Sequence, residues 1–202
     1  MPIITALKPQ RNKKRVNVYL DDKFSFGIDL ENLVKLDLKI GKEYSEKEIK
    51  EIIKKAEFQK TYDKIIRYST LRPRSKREVE MWLRKYKVHE SLHEELFNKL
   101  KRLELLDDAK FAKWWVDQRM AFRPRGKRAL TAELRQKGVD QETIKEVLVK
   151  IEIDETKVAK DLLKKYQYKW EKLPKSERKR KISSYLARKG FGWETIKQTV
   201  LD

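Results

Sequence analysis

Two groups of residues in this 202-residue chain have the types and spacing to do chemistry. The first is His89-Glu90-Ser91-Leu92-His93, which matches the zinc-peptidase pattern of two histidines on one helical face holding metal while the glutamate activates water. The chain has no third histidine and no cysteine to complete such a site, and the convenient acid, Glu104, lies in a stretch without a supporting motif. His89 also follows Val88, where the repeat set out below puts a turn. No metal, cofactor or catalytic residue is expected.

The second group is basic and sits at loop-to-helix transitions. Arg72, Arg74, Lys76 and Arg77 form one set; Arg123, Arg125, Lys127 and Arg128, with Arg135 further along, form another; Lys175, Arg178, Lys179, Arg180 and Lys181, with Arg188 beyond, form a third. In the first turn of a helix the dipole disfavours each cation by roughly 0.3–1 kcal/mol. A sequence shaped by stability alone would put Asp or Glu there. An anion such as a phosphate seated on that turn would meet free amides, dipole and basic side chains together. These residues are therefore the candidate contacts to nucleic-acid phosphate or to an acidic protein surface.

The elements that position them repeat. Pro73, Lys76, Arg77, Val79, Leu83 and Val88 recur 51 positions later as Pro124, Lys127, Arg128, Leu130, Leu134 and Val139, and a shift of 52 brings in Arg180, Ile182, Leu186, Gly190 and Phe191. Three copies at one period indicate a repeat protein. The middle copy predicts a helix over 107–122, a second over 127–137 ended by Gly138, and a third over about 141–152, capped by Asp140 with Val139 and Ile144 as a hydrophobic staple. Ser75 and Glu78 open the first copy as a capping box, and the pair Asp107-Asp108 reads as the acidic start of a helix.

Residues 1–55 differ in kind. Val16, Val18 and Leu20 alternate, Asp21-Asp22-Lys23 turns the chain, and Phe24, Phe26 and Ile28 alternate again, with Ile3 to Leu7 as a possible third strand. Ser45 with Glu48 is a capping box for a helix carrying Ile49, Ile52, Ile53 and Ala56. The predicted fold is mainly α: tandem three-helix repeats over 56–106, 107–153 and 154–202 in an elongated array, preceded by a small α+β region with a β-hairpin.

Composition agrees with a polyanionic partner. Lys and Arg number 51 against 32 Asp and Glu, a net charge of +19. The stretch 154–202 is the most basic, at +7. The absence of Cys excludes disulfides, thiolate metal sites and a cysteine nucleophile. The first residues form too short an apolar run for a signal peptide and no later run approaches a membrane span, so a cytoplasmic protein is expected. Trp115 with Phe111 and Phe122 has core spacing, and helical period reads Trp82, Trp170, Tyr166 and Tyr168 as packing rather than base-stacking residues.

Asp107-Asp108, Phe111-Ala112, Val116, Arg119, Gly126, Leu130, Glu133-Leu134 and Gly138-Val139 resemble the central repeat of the RecX family, bacterial regulators of the RecA recombinase. Ser75, Glu78 and Leu83 resemble its first repeat, Arg188-Lys189-Gly190-Phe191 its last, and the hairpin region resembles the N-terminal extension of RecX proteins from Gram-positive bacteria. The resemblance implies a non-enzymatic protein that lies along the groove of the RecA filament on single-stranded DNA and represses filament growth, ATP hydrolysis, strand exchange and co-protease activity. Its partners would be RecA and single-stranded DNA, with duplex DNA as a further candidate, and it would act as a monomer. Two departures stand out. Lys87 occupies the position of Gly138 and Gly190, and Pro174 is two positions out of register with Pro124. A plain nucleic-acid binder without a RecA target is the alternative.

Overall fold

The structure is a computed structural model describing residues 1–11 and 13–201, the side chain of Leu201 excepted. The chain divides into two compact units: Met1–Leu71 with Val88–Lys99, and Arg72–Lys87 with everything from Leu100 onward. Among the described residues no helix is long and apolar enough to cross a membrane.

The first unit contains a three-stranded antiparallel sheet in the order β1 (Ile4–Pro9), β2 (Arg15–Leu20), β3 (Lys23–Asp29). Asp21 and Asp22, at φ +48° and +65°, form the two-residue turn between β2 and β3, because two consecutive left-handed residues match the right-handed twist of a hairpin. The alternation is expressed as expected: Val16 and Val18 pair with Ile28 and Phe26, and all four are buried, whereas Phe24 turns outward. Helix α1 (Leu30–Lys35) follows, capped by Asp29. Helix α2 (Glu46–Thr70) opens on the capping box read from the sequence: Ser45 Oγ accepts from Glu48 N–H, and Glu48 Oε2 accepts from Ser45 N–H. Its Ile49, Ile52 and Ala56 close the sheet's core with Ile4, Leu38 and Tyr44. The helix runs unbroken for 25 residues, so positions 55 and 56, where the composition changes, lie within one element.

After α3 (Lys76–Lys85), a single 3-10 turn at Glu90–Leu92 leads into α4 (His93–Arg102). The second unit continues with α5 (Asp108–Phe122), α6 (Lys127–Gln136) and α7 (Gln141–Lys150), then α8 (Glu155–Tyr166), α9 (Lys175–Arg188) and α10 (Trp193–Leu201). These are two successive three-helix repeats. Phe111, Ala112, Val116, Leu130, Leu134, Val139 and Ile144 are almost wholly buried at the centre of the first, and Ala159, Leu186, Phe191 and Ile196 play the corresponding parts in the second. Val139 and Ile144 flank the Asp140 cap as a staple.

α3, α6 and α9 are each followed by one left-handed residue at the same register position: Lys87 (φ +50°), Gly138 (+84°) and Gly190 (+85°). Glycine is required at the latter two for a second reason. A Cβ at Gly138 would lie 2.6 Å from Arg77 Cβ, and one at Gly190 would collide with Ala129. Lys87, at the end of the first of these helices, is exposed, so only the modest backbone cost of a left-handed non-glycine residue applies. Gly190→Ala is therefore expected to destabilise the second unit by more than about 2 kcal/mol in urea unfolding, strain and clash adding together. Lys87→Gly should change stability by less than about 1 kcal/mol. Equal losses at both sites would contradict this account.

Candidate nucleic-acid interface and the repeat junctions

The starts of α3 and α6 are the places where the sequence calls for an anion. Both already have one, supplied by the following repeat. Lys76 N–H donates to Asp108 Oδ1 at 2.8 Å, and Lys127 N–H donates to Glu155 Oε1 at 2.7 Å. Asp108 and Glu155 are each the first residue of the next repeat's first helix. The helix starts also rest on the C-terminal turn of the next repeat's second helix. Ser75 Oγ donates to the Lys137 carbonyl at 2.7 Å; Gly126 N–H donates to Lys189 O at 3.0 Å, and Arg128 N–H to Gly190 O at 3.2 Å. A side chain at Gly126 would collide with Gly190. Positive helix starts thus meet negative helix ends and carboxylates, so the first-turn amides of α3 and α6 serve as joints between repeats rather than as open phosphate seats.

This separates the basic candidates into two groups. Arg72 donates to both oxygens of Glu78, at 2.9 and 3.1 Å, and stacks 5.0 Å from Trp114. Lys137 reaches the same carboxylate at 2.9 Å, and Arg74 lies 4.0 Å from it. In the middle repeat Glu133 accepts from Arg119 Nε at 2.6 Å and from the Trp115 indole at 2.8 Å, with Arg125 Nε 3.9 Å away. Arg72, Arg74 and Arg125 are therefore largely covered and engaged with carboxylates. Arg135 is exposed and bonded to Gln141. Lys127 is half-buried.

Lys76, Arg77, Arg123, Arg128, Lys175, Arg178, Lys179, Arg180, Lys181 and Arg188 are exposed. None of these ten has an ion-pair partner among the described residues. Arg77, Arg128 and Arg180 occupy one register position in α3, α6 and α9.

Two aromatic expectations are corrected. Phe122 lies outside the core at 76% exposure, because α5 ends there and its last turn extends past the packed face. Tyr168 is 67% exposed, in the short turn after α8 rather than on a helical face. Trp82 and Trp170 are buried as expected. His89 caps the 3-10 turn, its Nδ1 2.9 Å from Ser91 Oγ, while His93 opens α4 with Nε2 3.0 Å from the Val88 carbonyl. They do not share the face of one helix.

Sequence reasoning missed Asp108 and Glu155 as joint residues. A signal was present: α6 has no acid in its first turn, while acids stand at the start of both α5 and α8. Asp108 carries an electrostatic cost. Burial pushes the Asp108 carboxyl above its usual value, and the charges of Asp140 and Asp107 add to the rise, outweighing the bond from Lys76 N–H. For Glu78 burial acts in the same direction, but hydrogen bonds from Arg72 and Lys137 and their charges prevail and hold its carboxyl below the usual value.

The family models that match are the Regulatory protein RecX N-terminal domain over residues 2–45, the RecX second three-helix domain over 107–148 and the RecX third three-helix domain over 153–200. Regulatory protein RecX of Bacillus licheniformis is 37% identical over 198 residues, covering 97% of this chain and 75% of the relative. That of Bacillus subtilis is 35% identical with the same coverage. A crystal structure of regulatory protein RecX aligns over the whole of both chains with a TM-score of 0.75 at 25% identity. RecX from Lactobacillus salivarius aligns over 72% of this chain and 95% of its own, with a TM-score of 0.65 at 25% identity.

The two carboxylates should leave opposite marks on stability. With its folded pKa raised, Asp108 binds its proton more tightly in the folded state, so stability falls as pH rises through the window from the unfolded value, about 3.9, to the raised one. With its folded pKa lowered, Glu78 contributes stability that is present above its unfolded value and lost as pH falls through the folded one. Asp108→Asn keeps an acceptor for Lys76 and removes the charge. It should match or exceed the wild type at pH 7, and its stability should no longer decline across the Asp108 window, whereas Asp108→Ala should lose about 1–2 kcal/mol. Urea unfolding of the three proteins between pH 4 and 7 decides this; an Asn variant as weak as the Ala variant would show that the charge itself makes the joint.

Proposed function

The chain belongs to the RecX family, and on that premise we propose that it is a non-enzymatic negative regulator of RecA. It lies along the groove of the RecA filament on single-stranded DNA and restrains filament growth, ATP hydrolysis, strand exchange and co-protease activity. The modules are the N-terminal region to about residue 55 and the three repeats that follow. The protein works in the cytoplasm as a monomer, since each repeat supplies part of the contact.

The observation that carries this reading is the register of Arg77, Arg128 and Arg180, three exposed arginines recurring once per repeat without an ion-pair partner among the described residues. Charges spaced by a structural repeat suit a partner that is itself periodic and anionic, such as a nucleoprotein filament. Lys76 and Arg123 flank this series, and Lys175, Arg178, Lys179, Lys181 and Arg188 extend it along α9. Arg72, Arg74 and Arg125 shape the loops that present it. A general nucleic-acid binder is the second reading, favoured by the net charge of +19.

The single-stranded-DNA-dependent ATPase rate of RecA, with this protein titrated from far below to above the RecA concentration, separates the two. Filament targeting requires inhibition at strongly substoichiometric protein, before the DNA could be coated. The triple variant Arg77→Ala/Arg128→Ala/Arg180→Ala, with its circular dichroism and melting unchanged, should need roughly tenfold or more protein for the same inhibition. Unchanged inhibition by the folded triple variant would remove these residues from the interface. Inhibition only at DNA-saturating protein would leave the plain binder.

A further inference from the structure

Between the C-terminal end of α5 and α8 lies a groove of about 310 Å³, lined among others by Phe122, Arg123, Lys165, Tyr166 and Lys189. Phe122 lines it while remaining 76% exposed. An exposed ring forgoes burial worth about 2 kcal/mol that a packed phenylalanine would gain, so fold stability does not account for it. The cations nearby are equally unusual. Arg123, Lys165, Lys169 and Lys189 have no carboxylate partner among the described residues, and Asp161 is the one acid on the lining.

The three lysines face aromatic rings instead of acids. Lys169 Nζ lies 4.8 Å over the Tyr166 ring and Lys189 Nζ 5.4 Å from the Tyr185 ring. The Lys189 ammonium is held below its usual value by burial, then by the charges of Arg125, Arg123 and Lys169, which marks positive charge left without compensation. Two buried polar atoms in this neighbourhood, Arg125 Nε and Tyr185 Oη, lack a hydrogen-bond partner. Crowded like charges beside the one open ring of Phe122, in a cleft at the small end of the 300–1,000 Å³ or so typical of ligand sites, fit one or two nucleotides whose bases are unstacked. A duplex keeps its bases paired and could not present one to Phe122.

We propose that this groove binds single-stranded nucleic acid, one base stacking on Phe122 while neighbouring phosphates lie on Arg123, Lys165 and Lys189. The inference rests on the nucleic-acid half of the function proposed above and gives it a location, distinct from the arginine series of the second helices.

Fluorescence anisotropy with a labelled oligothymidylate of about ten nucleotides, beside an abasic oligomer of equal length, tests it. Phe122→Ala should weaken oligothymidylate binding roughly fivefold to a hundredfold and leave the abasic oligomer unaffected, whereas Phe122→Trp should retain both. Lys165→Gln/Lys189→Gln should weaken both oligomers and lower the salt slope by about 0.7 per lost phosphate contact. Since the Phe122 ring is exposed, thermal melting should be unchanged. Wild-type affinity of Phe122→Ala for both oligomers, with the arginine triple variant impaired, overturns the groove and leaves the wider reading standing. Equal weakening toward both oligomers overturns stacking, and displacement of the oligomer by polyglutamate as readily as by oligothymidylate overturns the choice of nucleic acid. A wild-type protein that binds neither oligomer at low salt removes the groove and the nucleic-acid half of the reading together.

Discussion

The second unit depends on how an isolated helix start is satisfied. Every helix leaves its first amides unpaired and its N-terminus positive, and usually answers this with its own cap and its own acids. Here α6 has neither a side-chain cap nor a first-turn acid, α3 has its own Ser75 cap on Glu78 N–H, and both take a further carboxylate from the next repeat, through Asp108 on Lys76 N–H and Glu155 on Lys127 N–H. Because the acid lies on a different helix from the amide, the bond fixes the position of one repeat against the next. The glycines follow from it: Gly126 and Gly190 meet backbone to backbone, and Gly138 admits the Arg77 side chain, only because the glycines carry no Cβ of their own.

Borrowing the acid also leaves the basic residues of α6 without a local one. First-turn Asp or Glu could neutralise Lys76, Arg77, Lys127 and Arg128 through short-range contacts, but α6 has none and the Glu78 carboxylate of α3 is taken by Arg72 and Lys137. Moving the carboxylate onto the neighbouring repeat, where it binds main-chain amide, leaves the side-chain charge of Arg77 and Arg128 facing solvent. The arginines that are covered have the opposite fate. Arg72 and Lys137 enclose Glu78, and Arg119 with the Trp115 indole encloses Glu133. One residue type thus does two jobs, and the side chain's distance from a buried carboxylate decides which.

That distinction explains what could and could not be read from the sequence. Elements whose signals are local were legible: the alternation of β2 and β3, the Ser45–Glu48 box, the staple at Val139 and Ile144, and the left-handed residue at Gly138 and Gly190. Their physics is contained within a few positions of chain. Contacts that join residues far apart left no local trace. Lys137 meets Glu78 across 59 positions, and Asp108 meets Lys76 across 32. Arg72 therefore looked like any other loop arginine. Phe122 failed for a related reason, since its helical spacing from Phe111 and Trp115 is right but α5 outruns the core that the spacing assumes.

The last repeat shows that the borrowing is a rule with consequences. Among the described residues no carboxylate and no helix end from another repeat meets the start of its second helix. α9 accordingly starts at Lys175, four residues ahead of the position matching the start of α6, with Pro174 before it and no side-chain cap. It carries its own first-turn acid, Glu177, which α6 lacks. Pro174 is out of register with Pro124 because the extra turn of helix displaces it. At the opposite end Lys87 stands where a docking helix would demand glycine. Both departures from the repeat thus fall at helix ends for which the described residues supply no docking contact of the kind made at Gly138 and Gly190.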